Sequence, residues 1–148
     1  MAVHAERSVH IDAPPDVVWR VWTDVERWPE WTASMRKITR LDEGPFGSNS
    51  SARVQANAPP TADWRVTQFD EGRSFTWEAE MTGAHAVGTH LVEPDGAGAK
   101  ATMTISISGG LPAALLTPLL AAISRRNLRL EAEGLKRRCE EMAGRPTG

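Results

Sequence analysis

The stretch IDAPPDVVWRVWTDVERWPEW, residues 11–31, contains the changes of pattern from which the rest of the fold can be predicted. Pro14 and Pro15 end an extended segment and suit the start of a helix, because proline fixes φ and lacks an amide proton. Residues 16–22 then place valine and tryptophan at helical spacing. Residues 23–26 have the form of a capping box, which predicts a second short helix that stops at the Trp28-Pro29 pair.

The pattern on both sides of this stretch is that of β-strands. Upstream, residues 4–11 alternate between apolar and polar side chains, which predicts a first strand. Downstream, short period-two segments are separated by turn residues, and such short links join antiparallel neighbours. With the first strand they predict a curled meander of about seven strands. The downstream strands are predicted at 33–41, 51–57, 63–69, 74–81, 85–93 and 99–108.

A long helix is predicted at the C-terminal end, over residues 118–142, with Pro118 tolerated in the first turn. At 1.5 Å per residue it would span about 37 Å. The helix should present an apolar face to the sheet and a solvated face in which arginine and lysine alternate with glutamate. The inward face is predicted to comprise Leu116, Leu120, Ile123, Asn127, Leu130 and Gly134, and the solvated face to include Arg125, Arg126, Arg129, Glu131, Glu133, Lys136, Arg137, Glu140 and Glu141.

Composition limits the classes of function. The 148 residues suit one domain over 1–148, with 41% apolar and 24% charged side chains. A net charge of −2 lacks the broad positive potential that binding to nucleic acid or to an anionic membrane normally needs, which makes both partners improbable. No apolar run reaches the roughly 20 residues of a membrane span, and the N-terminus has no apolar signal segment. We therefore expect a cytoplasmic protein without a membrane span or a nucleic-acid partner. The single cysteine, Cys139, permits neither an internal disulfide nor a zinc cluster.

Aromatic residues indicate an apolar pocket. The chain has six tryptophans, three phenylalanines and no tyrosine. Alternation places Phe75 and Trp77 on one inward face, with Glu78 and Glu80 solvated on the other. If Trp64 also faces inward, Val66 and Gln68 share its side. Indole rings distributed over a small domain suit a pocket for a small apolar molecule.

The order of the motifs resembles the polyketide cyclase/dehydrase branch of the START-like (SRPBCC) superfamily. The resemblance rests on IDAPPDVVW at 11–19, DVERWPEW at 24–31, WRVT at 64–67, GRSFTW at 72–77 and EPDG at 93–96. It implies an α+β helix-grip fold, in which a curved antiparallel sheet of about seven strands wraps around a long C-terminal helix. Two short helices follow the first strand, and an internal cavity holds a ligand.

The resemblance also implies site residues. Aromatase/cyclases of this branch line the pocket with a tryptophan, a tyrosine seven residues later, an arginine on a middle strand and an asparagine on the long helix. Trp28 and Asn127 match this pattern, whereas Met35 stands in the tyrosine position and Gln68 in the arginine position. The phenol and the guanidinium are the groups best suited to move a proton or polarise a carbonyl. Their replacement favours binding over catalysis.

Several polar residues allow two interpretations. Gln68 and Asn127 either find partners within the protein or meet a ligand. His85 and His90 are expected on opposite faces of their strand, so that one of them faces inward, either as a structural residue or as the acid–base group of an enzyme. None of the four histidines shows the spacing of a metal site, and we expect neither metal nor cofactor.

The leading hypothesis is a binding protein, monomeric or homodimeric, for a small hydrophobic molecule of the polyketide, lipid or isoprenoid-like kind. The alternative is an enzyme of the polyketide cyclase/dehydrase type that acts in the same cavity. An accessory module that binds another protein is disfavoured by the polar outer face of the strand at 74–81. The predicted ligand-binding residues are Trp28, Trp31, Met35, Trp64, Val66, Gln68, Phe75, Trp77, Ile123, Asn127 and Leu130.

Overall fold

The computed structural model describes residues 2–57, 61–81, 83–110 and 115–144. Over these ranges it contains one sheet, two α-helices and a 3-10 helix. The strands are β1 (Ala2–Ile11), β2 (Met35–Arg40), β3 (Ser51–Ala56), β4 (Ala62–Asp70), β5 (Ser74–Met81), β6 (Ala84–Asp95) and β7 (Gly98–Gly109). The helices are α1 (Pro15–Thr23), the 3-10 helix (Val25–Glu30) and α2 (Thr117–Gly144).

All neighbouring strands pair antiparallel, in the order β1-β7-β6-β5-β4-β3-β2. The predicted meander of seven strands and the α+β class are thereby confirmed for the described residues. The first strand leaves its sequence neighbours and pairs with β7 along its whole length, from Ala2 opposite Ser108 to Ile11 opposite Ala99. Gly72 and Gly96 have positive φ at two of the hairpin turns, a conformation that favours glycine.

The two helical segments after β1 form where residues 11–31 predict them. Pro15 is the first residue of α1, which buries Val17, Val18, Trp19, Val21 and Trp22. The predicted capping box is wrong, because the Thr23 hydroxyl donates to the Trp19 carbonyl oxygen at 2.9 Å instead. The second segment is a 3-10 helix that runs through Pro29 to Glu30. Its i to i+3 bonds join Arg27 N to Asp24 O and Trp31 N to Trp28 O, so Pro29 interrupts neither.

A β-bulge changes the face of one predicted site residue. Val66 pairs with Trp77, but Gln68 pairs with the next residue, Thr76, so β4 contains one extra residue there. Val66 is buried, whereas Gln68 is exposed. The expectation that Gln68 shares the inward face with Val66 is therefore corrected. An inserted residue breaks the two-residue period on which that expectation rested.

The long helix α2 forms as predicted, with Pro118 in its first turn, but it is rotated relative to the predicted face. Its buried residues are Ser124, Leu128, Glu131, Ala132, Gly134, Leu135 and Cys139. Leu116 is exposed, which contradicts its predicted inward position, and Glu131 is buried, which contradicts its place on the solvated face. Within the described residues, no helix is both long and apolar enough to cross a bilayer.

A glycine brings α2 against the turn after the 3-10 helix. A Cβ atom at Gly134 would overlap the Trp31 carbonyl oxygen. Arg137, one turn further along α2, donates to the same oxygen at 3.2 Å. At the end of the helix, Lys136 donates to His10 O at 3.1 Å, and Glu140 accepts from Asp12 N at 2.8 Å. These contacts fix α2 relative to both the turn and β1.

Candidate functional site

A buried histidine lies at the centre of the concave face of the sheet. Along β6, Ala86, Gly88, His90 and Val92 point inward in strict alternation and are buried. The small residue at 88 makes room for a large one on β5, because a Cβ atom at Gly88 would lie only 3.1 Å from Trp77 Nε1. Of the two histidines on this strand, His90 is therefore the one that faces inward.

Aromatic rings surround the His90 imidazole. Phe75 from the neighbouring strand stacks on it, with ring centroids 4.3 Å apart and an interplanar angle of 15°. Trp22 of α1 and Trp28 of the 3-10 helix meet it edge-on, at 5.3 Å and 5.4 Å. Trp77 completes the enclosure at 6.0 Å. We call His90 with these four rings the aromatic box.

The long helix brings a carboxyl group to the aromatic box. His90 Nε2 and Glu131 Oε1 are 3.4 Å apart, and their side chains are only 5% and 7% exposed. Glu131 belongs to the buried stripe of α2, which places it over the sheet. An imidazole next to a carboxyl group is a pair that can take up, hold and return a proton.

Several buried polar atoms in and beside the box lack hydrogen-bond partners. Among the described residues these include His90 Nδ1, Glu131 Oε1 and the indole nitrogens of Trp22 and Trp31. The indole of Trp28 is satisfied, since it donates to Trp22 O at 3.0 Å. An unpaired buried donor or acceptor costs about 1–3 kcal/mol. Trp22, whose ring contacts His90, and Trp31, whose ring contacts Trp28, therefore each carry a buried N–H donor without a described partner.

The predicted aromatic site residues form one continuous chain of rings. Trp28 contacts Trp31 at 5.5 Å and Trp77 at 5.3 Å between ring centroids. Trp64 contacts Trp77 at 5.6 Å, and Phe75 contacts Trp77 at 5.7 Å. Val66 belongs to the same hydrophobic cluster, and the half-buried Met35 packs against it. The rings that the sequence places on separate elements therefore meet on one face.

The other predicted residues lie apart from these rings or beside them. Ile123, Asn127 and Leu130 are half-buried on one flank of α2, next to the buried stripe. Gln68 is exposed beyond the bulge and does not join the set. The internal cavity expected between the sheet and α2 stays a prediction.

The convex face carries a second, different histidine cluster. His85 Nε2 lies 2.8 Å from Glu78 Oε1, and its Nδ1 contacts Glu80. Hydrogen bonds to Glu78 and then Glu80 raise the pKa of His85 above its ordinary value. A groove of about 670 Å³ runs past these residues and the Arg53–Asp63 ion pair. The histidine and the carboxylates of this groove are paired with neighbouring groups at the surface, whereas the polar atoms of the aromatic box are buried.

Comparison with known proteins identifies the family. A family model described as "Polyketide cyclase / dehydrase and lipid transport" matches residues 2–140. The chain belongs to this family. The predicted membership is thereby confirmed, and the match spans every strand and nearly all of α2.

Three relatives illustrate the family. A Streptomyces cyaneus protein named "Putative polyketide cyclase" is 31% identical over 84 residues, which cover 55% of this chain and 46% of that protein. The chain thus spans about half the length of this curated relative. The ZhuI aromatase/cyclase of Streptomyces sp. R1128 superposes with a TM-score of 0.79 at 19% identity, covering 95% of both chains. A START superfamily protein of Mycobacterium smegmatis gives 0.76 at 15% identity, covering 94% of this chain and 98% of that one. The two structures confirm the START-like fold.

Within this family fold, two residues of the site were missed by the sequence reasoning. The sequence pattern places Trp22 only within the helical spacing of residues 16–22, and Glu131 only on the solvated face of α2. The signal for Glu131 was present, because steps of four, three, four and four residues connect Ser124, Leu128, Glu131, Leu135 and Cys139 along one helix face. A carboxylate within such a stripe is a candidate for a buried partner.

Proposed function

We propose that the protein binds a small apolar molecule of the polyketide, lipid or isoprenoid-like kind on the concave face of the sheet. The observation that carries this proposal is the His90–Glu131 pair, buried among aromatic rings and accompanied by unpaired indole donors. Rings of this kind provide a large apolar contact area, and a few polar atoms fix the orientation of the ligand.

The ligand would lie along the chain of rings and reach toward α2. Trp28, Trp31, Trp64, Phe75 and Trp77 supply the apolar surface, with Val66 and Met35 at its edge. Ile123, Asn127 and Leu130 on the flank of α2 would cover the opposite side. Asn127 is the polar residue of this flank, and its amide would bind a ligand oxygen. Gln68 has no part in this proposal, because it is exposed.

Titration of the intrinsic tryptophan fluorescence with quinones, fatty acids and polyketides tests this proposal. At least one class should change the emission in a saturable manner, because the four indoles of Trp28, Trp31, Trp64 and Trp77 would contact the ligand. The proposal fails if no class changes the emission up to its solubility limit.

Two amide variants provide a matched comparison. Asn127→Leu should weaken binding by about tenfold, the effect of losing one ligand hydrogen bond worth about 1.4 kcal/mol. Gln68→Leu makes the same chemical change outside the proposed site and should leave the affinity unaltered. An equal loss in both variants, or no loss in either, would contradict the assignment of Asn127.

A second candidate function is cyclisation or dehydration of a bound polyketide-like chain. It is favoured by the 3.4 Å contact between His90 and Glu131, because a base next to a carboxyl group can remove a proton next to a carbonyl group and return it to a leaving hydroxyl group. The family description and the names of two relatives include such reactions.

Turnover of a β-polyketone substrate distinguishes the two candidates. His90→Gln and Glu131→Gln should each abolish turnover while the affinity for the ligand is retained. His85→Gln is the matched control, since His85 also lies between carboxylates but on the convex face, and its turnover should equal that of the wild type. Full turnover in the His90 variant would exclude the enzymatic function proposed here.

A further inference from the structure

The start of α2 exposes a cluster of leucines that the proposed binding site does not use. Leu115, Leu116 and Leu119 are 86%, 51% and 57% exposed. Large apolar side chains this accessible and this close in sequence form a patch rather than isolated surface residues.

The same part of the chain has an uncompensated positive charge. Residues 115–130 contain Arg125, Arg126 and Arg129 and no acidic residue. All three arginines are exposed. By contrast, residues 131–144 mix glutamates with lysine and arginine, and Lys136 pairs with Glu140 at 2.6 Å. The positive charge of α2 is therefore concentrated next to the leucines.

Helical geometry places Leu119 on the same side of α2 as Arg126 and Arg129. Leu115 and Leu116 precede the first residue of the helix, and Arg125 lies about 120° around the axis from Leu119. Leu119, Arg126 and Arg129 follow at steps of seven and three residues, which share a helix face. Leu119 and Arg126 are separated by about 10 Å along the axis. This face points away from the buried stripe at Leu128 and Leu135. Exposed leucines at the start of a helix, followed by cations about two to three turns later, supply the apolar and cationic groups that bind at an anionic lipid interface.

We propose that Leu115, Leu116, Leu119, Arg125, Arg126 and Arg129, here called the leucine–arginine face, dock on an anionic lipid bilayer. The leucines enter the headgroup region, and the arginines bind lipid phosphates. The net charge of −2 does not oppose this contact, because the Debye length of about 8 Å at physiological salt makes the local charge decisive. A two-fold dimer through the same leucines would bring the unpaired arginines of both copies together, which like-charge repulsion disfavours.

Vesicle co-sedimentation tests the proposal without any added ligand, so its outcome is independent of the proposed binding function. The wild type should bind vesicles of phosphatidylcholine and phosphatidylglycerol in equal amounts, bind phosphatidylcholine vesicles far less, and lose affinity with added salt. Each arginine near the surface contributes about fivefold, so Arg125→Gln/Arg126→Gln/Arg129→Gln should weaken binding by at least tenfold. Leu116→Ser/Leu119→Ser should do the same by removing apolar insertion.

Matched variants elsewhere in the chain test whether the loss of vesicle binding is specific to the leucine–arginine face. Leu41→Ser removes another exposed leucine, and Arg36→Gln/Arg65→Gln/Arg73→Gln removes the same charge from the sheet and its turns. Both should bind vesicles like the wild type, and circular dichroism should show all variants folded. The proposal is overturned if the wild type ignores anionic vesicles, if the controls lose binding equally, or if the leucine variant dissociates a dimer while vesicle binding persists.

Discussion

The carbonyl oxygen of Trp31 lies so close to α2 that position 134 has no room for a side chain. A side chain at Gly134 would collide with backbone rather than with a flexible group, so the turn or the helix must move. Gly134→Ala should therefore lower the free energy of unfolding by about 3 kcal/mol or more, at the upper end of overpacking effects. Urea denaturation measures the change.

Gly144→Ala is the control for this substitution. Residue 144 ends the same helix, and a Cβ atom there meets nothing within 4 Å. Alanine has the higher helix propensity, so this variant should be as stable as the wild type or slightly more so. If both glycine variants lose stability equally, the close approach at Trp31 is not the cause.

The single thiol should be inert in the folded protein. Burial raises the pKa of Cys139 to about 12, from an ordinary value of 9.0. Three pKa units reduce the thiolate fraction at a given pH by about a thousandfold, and the thiolate is the reactive form. A chromogenic disulfide reagent should leave the native protein unmodified for hours and react within minutes in urea. Rapid modification of the native state would show that the interior around Cys139 opens readily.

At the scale of elements, the convex surface of the β5–β6 hairpin should make stability depend on pH. The pKa of His85 is raised by Glu78 and Glu80 in the folded state. Its stabilising contribution is therefore complete below the unfolded pKa of about 6.5 and is lost as the pH rises through the folded pKa. The thermal midpoint should fall between about pH 6 and about pH 8 by a larger amount in the wild type than in His85→Gln.

Because the His85 side chain is 34% exposed and its charge is screened by solvent, this difference should be small, but its sign is fixed. His10 provides an independent comparison, since hydrogen bonds to Asp95 and then Asp12 raise its pKa in the same direction. His10→Gln should reduce the pH dependence in the same sense as His85→Gln. A wild type that becomes more stable relative to either variant as the pH rises would contradict the linkage.

The strands could be predicted well from the sequence because turn residues mark the hairpins that join them. Turn residues at 70–72 and 94–96 separate period-two segments, and the structure has β4, β5, β6 and β7 there with ends shifted by only a few residues. The bulge at Gln68 could not be predicted, since period two carries no mark of an inserted residue. Because of this bulge, Gln68, which was a predicted site residue, lies outside the chain of aromatic rings.

The rotation of α2 was harder to predict. Its sequence offers two apolar stripes, one through Leu116, Leu120 and Ile123 and one through Leu128, Leu135 and Cys139. Sequence alone cannot rank them, because the choice depends on what packs against the helix. The aromatic half of the site followed from strand alternation, whereas the pairing of His90 with Glu131 depends on that rotation.

For the protein as a whole, the buried His90–Glu131 pair should give a lower free energy of unfolding than apolar side chains of similar volume would. Removing one member leaves the other buried without its partner, so His90→Leu and Glu131→Met should each destabilise the protein by about 3 kcal/mol. Replacing both with apolar side chains of similar volume should restore most of that loss or exceed the wild type. The double variant should nevertheless fail to turn over a ligand.

A double-mutant cycle in urea measures the coupling. Strong non-additivity, with the double variant more stable than either single variant, is the expected result. Additive losses would show that the two side chains do not depend on each other, and the site would then need another explanation for the burial of Glu131.

The extra residue in β4 shifts the phase of the strand for everything that follows it. Val66 faces inward, and Phe69, three residues later, is again opposite an inward ring, Phe75. A strand of the same length without the bulge would instead pair residue 68 with Phe75, which would turn Gln68 inward and Phe69 outward. In a related chain that is one residue shorter here, an ungapped alignment would therefore equate a surface side chain with an interior one. The bulge thus determines whether an aromatic or a polar side chain faces the interior at this height of the sheet.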